Sequence, residues 1–172
     1  MESFFRGKQE KEKERAVEET LLKEYDRYYR LAYSYVGNGD DAADIVQEGA
    51  YQAIYHSDSL QKTEYVGTWI YRIMLNEIFA FCRKKKEVSG DMESLPEQIT
   101  EDSYQNVDLM RALEKLEEKD RAVIVLRYFE DYKLGEIADV LEENVNTVKS
   151  RLYRSIKKLK MQLNNDWIWE ET

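Results

Sequence analysis

The stretch Asn144-Val145-Asn146-Thr147-Val148-Lys149-Ser150-Arg151-Leu152-Tyr153-Arg154-Ser155-Ile156-Lys157-Lys158-Leu159-Lys160 decides how the chain is read. Drawn as a helix at about 100° per residue, Val148, Leu152, Ile156, Leu159 and, just beyond, Leu163 fall within an arc of roughly 80°. Lys149, Arg151, Arg154, Lys157, Lys158 and Lys160 spread over the other side across about 200°. Residues 146–160 hold no acid. Upstream, Leu134, Ile137, Ala138 and Leu141 form one apolar helix face, and a short break, Glu142 to Asn144, separates it from the basic helix. A short helix, a tight break and a second helix with one apolar stripe make a helix-turn-helix pattern. In that geometry the second helix enters the major groove with its N-terminal residues at the base edges. Asn146, Thr147, Lys149, Ser150 and Arg151 are the candidates for that role, while Arg154, Lys157 and Lys158 suit phosphates, which position without specifying.

The bulk composition argues the other way. With 26 Lys plus Arg against 35 Asp plus Glu, the 172-residue chain has a net charge of −9, the opposite of an ordinary nucleic-acid binder. The distribution removes the objection, because residues 88–106 and 164–172 contain no base and hold eight of the nine excess acids. One Cys and one His exclude disulfide frameworks and metal sites built from several such ligands. No apolar run approaches the roughly 18 residues of a membrane span, and no secretory leader is read, so the expected location is the cytoplasm.

Working back along the chain, one Pro and seven scattered Gly leave few helix breakers, and no strand-like alternation persists. The expected fold is therefore all-α. Residues 1–20 form a charged N-terminal extension, Lys/Glu-rich over 8–20. From there Leu21, Tyr25, Tyr28, Ala32 and Tyr35 recur at helical spacing as one buried face. Gly37-Asn38-Gly39-Asp40 is a turn that supplies the N-cap of the next helix. That helix turns Ala42, Val46, Ala50, Ala53 and Ile54 inward and Asp41, Asp44, Gln47 and Glu48 outward. After a polar stretch from His56 to Thr63, a long helix gathers Val66, Ile70, Ile73, Met74, Glu77 and Phe81 on one side. Trp69, Arg72, Asn76 and Arg83 are left at its edge or on its opposite face. The segment 88–106 contains the only Pro, Pro96, and reads as an acidic linker between two small helical domains, 21–87 and 107–163. Residues 164–172 are an acidic tail.

The long helix is the second constellation. Tyr65, Trp69, Tyr71, Phe79 and Phe81 lie among Arg72, Asn76 and the basic run Arg83-Lys84-Lys85-Lys86. Aromatic faces beside cations suit unstacked bases, although aromatics at helical spacing are more often core. Other groups carry little chemistry. His56, Ser57 and Asp58 are adjacent in sequence, which does not make a triad; Cys82 is a helical Cys beside basic residues; and the single glycines form no phosphate-cradling loop. No enzyme activity and no cofactor are expected.

Asp44-Ile45-Val46-Gln47-Glu48, then Thr68-Trp69-Ile70-Tyr71-Arg72-Ile73 and Asn76, are similar to sigma domain two. Leu126-Arg127-Tyr128-Phe129-Glu130, Glu136-Ile137-Ala138 and Thr147-Val148-Lys149-Ser150-Arg151-Leu152 look like sigma domain four. Both in one short chain, without a middle sigma domain, resemble the extracytoplasmic-function (ECF) sigma factors of bacteria over about residues 21–163. The resemblance implies a transcription initiation factor that binds core RNA polymerase, at the β′ clamp coiled coil and β flap, and directs it to promoter DNA. It further implies that Asp41, Asp44, Ile45, Gln47 and Glu48 dock on the clamp. Trp69, Arg72, Asn76, Arg83 and Lys84 would melt and read the minus-ten element. Asn146, Thr147, Lys149, Ser150, Arg151, Arg154, Lys157 and Lys158 would meet the minus-thirty-five duplex. An anti-sigma factor is an implied partner; no small-molecule substrate and no direct membrane insertion are implied. Trp167 and Trp169 in the acidic tail are expected to pack back on the last helix, with contact to a partner such as an anti-sigma factor as the alternative.

Four departures from the family pattern bear on the structure. Lys133 replaces a Ser or Thr N-cap, with Gly135 early in the same helix. Glu142 replaces a turn Gly, Gly49-Ala50-Tyr51 replaces a bulkier apolar stretch, and Tyr65-Val66-Gly67 replaces a Phe-rich entry to the melting helix. The alternative readings are a stand-alone helix-turn-helix regulator and a helical adaptor whose basic faces bind protein. Residues 21–86 separate the first of these from a sigma factor, because a repressor needs no polymerase-docking domain.

Overall fold

The computed structural model describes residues 1–89 and 103–163, and every regular element among them is helical. The chain forms two compact units, one built from α1–α3 and one from α4–α7. The tail with Trp167 and Trp169, and most of the expected linker, lie outside the described residues.

In the first unit α1 is Glu2–Val36, α2 is Gly39–Tyr55 and α3 is Val66–Ser89, with two single 3₁₀ turns, Ser57–Ser59 and Thr63–Tyr65, between α2 and α3. The three helices pack against one another. The turn between α1 and α2 works as its residue types require. Gly37 takes the left-handed conformation, φ 66°, and its N–H closes α1 on the Tyr33 carbonyl at 2.8 Å. Asn38 Oδ1 then accepts the Asp41 N–H at 3.0 Å and starts α2.

The core corrects several expected faces. Leu21, Tyr28 and Ala32 are buried, joined by Val17, Leu31 and Val36, so α1 contributes to the core well inside the expected extension. Tyr25 is exposed instead, the first of three stacked tyrosines with Tyr29 and Tyr33 along the flank of α1. On α2, Ala42, Val46 and Ala53 point inward as expected, but Ile54 is exposed and Ile45 and Gly49 are buried. On α3 the buried face is Ile70, Tyr71, Met74, Leu75, Ile78 and Phe79. That face is rotated by roughly a quarter turn from the expected one. The helix is apolar nearly all round, so periodicity could not fix its phase. Aromatic packing does: Tyr71 meets Tyr28 edge-on at 5.2 Å and Phe79 meets Tyr35 at 6.1 Å.

In the second unit α4 is Ser103–Glu114 and α5 is Glu118–Ile124, continued by a π-helical turn, Val125–Phe129. α6 is Leu134–Leu141 and α7 is Val145–Leu163. The core comprises Leu113, Leu116, the run Ala122 to Leu126, Ile137, Ala138, Val140 and Leu141, closed by Val148, Leu152 and Leu159 of α7. Ile156, expected in the stripe, is half-buried, and Ser155 is buried beside it. Both ends of the expected linker are helical, since α3 runs through Ser89 and α4 begins at Ser103. Composition marks such a break without its ends, because a nucleated helix carries polar residues for several more positions.

Candidate nucleic-acid interface

α7, the expected duplex-reading helix, is held at its start by a side-chain cap that its sequence supplies. Asn144 Oδ1 accepts the Thr147 N–H at 2.8 Å and the Thr147 hydroxyl at 3.0 Å. Thr147, expected at the base edges, is therefore half-buried with its hydroxyl proton engaged in the cap. The preceding turn keeps its shape without glycine. Glu142 itself adopts the left-handed conformation, φ 55° and ψ 39°, and Glu143 N–H closes on the Ala138 carbonyl at 3.0 Å. The missing Ser/Thr cap of α6 is offset from the other side, since Glu136 accepts the Lys133 N–H at 2.8 Å.

From Val145 on, about 100° per residue sorts the outer face of α7. Asn146, Ser150, Tyr153 and Lys157 fall within roughly 60° of one another, opposite the buried stripe, and all four are exposed. Lys149 lies on one flank of that stripe and Lys158 on the other, both exposed. Tyr153, 65% exposed in the middle of this surface, was not among the expected contacts. The signal was its spacing, three residues after Ser150 and four before Lys157.

The two arginines behave differently. Arg151 has only 15% of its side chain exposed, and both of its arms are occupied. Nε donates to Glu143 Oε2 at 2.8 Å and Nη2 to Glu143 Oε1 at 2.9 Å, a bidentate pair. Nη1 donates to Asp120 Oδ1 at 2.7 Å and lies 3.6 Å from Glu117. Arg154, half exposed, donates from Nη2 to the same Asp120 at 2.9 Å and 3.2 Å. Asp120 on α5 is 1% exposed. Burial pushes its carboxyl up, but the hydrogen bonds from Arg154 and Arg151 outweigh that and hold it below the usual range. Glu143 is lowered by its bonds to Arg151 and Lys119 against its own partial burial. Arg151, expected at the base edges, thus stands at the centre of an internal ion cluster. Its partners lie 8 and 31 residues away, so a wheel of α7 alone could not show them. The acids Glu117, Asp120 and Glu143 were the available signal.

The first unit carries the other candidates. Trp69, Arg72, Asn76 and Arg83 fall within roughly 60° on the side of α3 turned away from the buried face. Trp69 and Arg72 are half-buried, Asn76 and Arg83 exposed. Arg83 Nε bonds back to the Phe79 carbonyl at 3.2 Å. Lys84 is exposed but lies some 60° beyond the end of that arc. Of the five aromatics, Tyr71 and Phe79 belong to the core, Tyr65 is exposed at the helix entry, and Trp69 and Phe81 are half-buried.

On α2, Asp44, Gln47 and Glu48 are exposed, Glu48 accepting from Gln52 at 2.9 Å. Asp41 is half-buried and 3.6 Å from Lys85 of α3. Ile45, expected on the same docking surface, is 3% exposed and packs in the core, one turn after Ala42 and beside Val46. Its apolar side chain gains more from that burial than from water. Gly49 explains the unusual Gly49-Ala50-Tyr51 segment, because a Cβ there would run into Met74 Sδ of α3. Beyond α2, His56 meets Tyr55 edge-on at 4.9 Å, and the Asp58 carbonyl accepts Lys13 Nζ at 3.1 Å. Cys82 is half-buried.

Residues 21–88 match the family model for sigma-70 region 2, and residues 106–159 that for sigma-70 region 4. The chain is 41% identical over 142 residues to the RNA polymerase sigma factor SigV of Bacillus subtilis strain 168, covering 81% of this chain and 86% of that protein. It is 35% identical over 158 residues to the ECF RNA polymerase sigma factor SigW of the same strain, covering 81% and 84%. The chain belongs to the ECF sigma factors. Among solved structures, this sigma factor superposes on RpoE of Bartonella quintana, solved with the anti-sigma factor NepR. The TM-score is 0.71 at 25% identity, over 87% of this chain and 97% of that one. CnrH, solved with the cytosolic domain of CnrY, has the same fold, with a TM-score of 0.67. No helix among the described residues of the sigma factor is long and apolar enough to cross a membrane.

Proposed function

We propose that this sigma factor works by three separate surfaces. The exposed side of α2, with Asp44, Gln47 and Glu48 and with Asp41 at its edge, docks on the β′ clamp coiled coil of core RNA polymerase. The outer side of α3, with Trp69, Arg72, Asn76 and Arg83 and with Lys84 beside them, opens and reads the minus-ten element. The outer stripe of α7, with Asn146, Ser150, Tyr153 and Lys157 flanked by Lys149 and Lys158, meets the minus-thirty-five duplex. The second unit also contacts the β flap. The observation that carries the reading is that one chain matches sigma-70 region 2 over residues 21–88 and sigma-70 region 4 over residues 106–159, with exposed acids on α2 ahead of an acid-free basic face on α7. A stand-alone regulator would use only the last.

On this reading the protein acts in the cytoplasm, catalyses nothing itself and takes no cofactor. Its likeness to a sigma factor solved with an anti-sigma factor supports regulation by such a partner. The charges fit a division of labour. Acidic α2 faces a protein partner, where complementary potentials set specificity and encounter rate. Basic α7 faces phosphate. A net charge of −9 restrains binding to bulk DNA until polymerase brings the chain there.

Placing positive charge on α2 tests the docking surface. Asp44→Lys and Gln47→Lys in the full chain should each weaken capture of bacterial core polymerase in co-elution by about tenfold. Thermal stability should stay unchanged, since both residues are exposed. Retention of full core binding by the double variant would refute the assignment.

A further inference from the structure

Arg151 offers a planar, bidentate side chain at the start of a duplex-reading helix, the residue type most often used to read a base edge. Its geometry is inconsistent with that use. Glu143 takes one edge of the guanidinium at 2.8 Å and 2.9 Å, and Asp120, itself 1% exposed, takes the remaining arm at 2.7 Å. Reaching a base would break all three of these bonds and leave Glu143 with Lys119 alone and the buried Asp120 with Arg154 alone. The three partners stand on three different pieces of the motif: Asp120 on α5, Glu143 in the turn after α6, and Arg151 on α7.

We propose that Arg151 is a positioning residue for promoter recognition, fixing the angle of α7 against α5 and the turn through Glu143 and Asp120, and touching no base. Arg154, with half its side chain exposed, shares Asp120 and is the outer member of the cluster. The positive charge that meets phosphate is then carried by lysines, Lys149, Lys157 and Lys158. This inference rests on α7 being the duplex-reading helix.

The two roles predict opposite signs for one substitution. If Arg151 reads DNA, Glu143→Gln frees it and removes a repelling charge, so promoter affinity rises or holds. If Arg151 positions the helix, Glu143→Gln weakens binding just as Arg151→Gln does. The experiment measures binding of the full chain, assembled with bacterial core polymerase, to a labelled promoter duplex across a series of NaCl concentrations. Arg151→Gln and Glu143→Gln should each lower affinity by about tenfold, the scale of a lost charge-assisted hydrogen-bond pair. The double variant should be no worse than the poorer single one. Neither should change the slope of log affinity against log salt, whereas Lys157→Ala should reduce it by about one, the mark of a lost phosphate contact. Arg151→Lys keeps the charge but not the fork, and should behave like Arg151→Gln. Each variant is read below its own melting midpoint, and if Arg151→Gln does not fold, Arg151→Lys and Glu143→Gln carry the comparison. Tighter or unchanged binding by Glu143→Gln, wild-type affinity of Arg151→Lys, or a slope reduced by about one in Arg151→Gln overturns the proposal. A wild-type complex that fails to bind the promoter overturns the duplex reading itself, and this inference with it.

Discussion

Asp120 and Glu143 are acids whose folded-state carboxyls are held low, so their contribution to stability has a definite sign with pH. A depressed carboxylate stabilises the fold above its unfolded pKa, and that contribution is lost as pH falls through the folded value. Arg151 is the chief cause of the depression in Glu143 and, after Arg154, the second cause in Asp120. At neutral pH, Arg151→Gln should therefore cost about 2 kcal/mol, in the range for hydrogen bonds to charged groups. The gap in stability between wild type and variant should narrow as pH drops below about 4, where unfolded carboxylates begin to take up protons. Denaturant melts at pH 7 and pH 3 measure it, and an equal gap at both would contradict the ion-cluster account. Glu77 on α3 has the opposite sign, raised by burial and by neighbouring Glu48 against the pull of Lys84, so as pH falls its protonation relieves the first unit above the range in which the second is weakened.

Helix ends and helix contacts were only partly readable in the sequence, and the reasons are physical. The Gly37-Asn38 turn and the break before α7 could be read because a cap is a local arrangement of neighbouring residue types. Asn144→Ala should accordingly cost about 1 kcal/mol in the second unit, typical of an N-cap. A melting midpoint equal to wild type would remove the cap from the account. The phase of α3 could not be read, because Ile70, Ile73, Met74, Leu75 and Ile78 offer apolar atoms on most sides. Tyr28 and Tyr35 of α1, more than forty residues away in sequence, meet Tyr71 and Phe79 on the observed face, and Gly49 of α2 meets Met74 there. Gly49, the first residue of the Gly49-Ala50-Tyr51 departure, lies inside, where α2 meets Met74. Gly49→Ala would gain about 1 kcal/mol of helix propensity in an exposed position. Here the added methyl meets the flexible end of the buried Met74 side chain, which must turn aside, so that gain should be offset and the net change should stay within about 1 kcal/mol. A variant stabilised by the full helix-propensity gain would show that Met74 does not fill the space beside Gly49.

At the scale of the molecule, the all-helical class, the two units and the family followed from local patterns in the chain. Helical periodicity, a break of three residues and two motif strings in order all survive without knowledge of contacts. The candidate site was less completely visible. Exposed positions such as Ser150, Lys157 and Asn76 followed from the wheel, while Arg151 and Ile45 did not, since their partners come from other elements. The net charge of −9 suits a protein that meets DNA in company. The most direct measurement is run-off transcription with the full chain, bacterial core polymerase and a library of candidate promoters. The account predicts discrete transcripts, absent with core alone, from templates sharing one minus-thirty-five and one minus-ten sequence. Transcripts no different from those of core alone, with no co-elution of the chain and the polymerase, would contradict it.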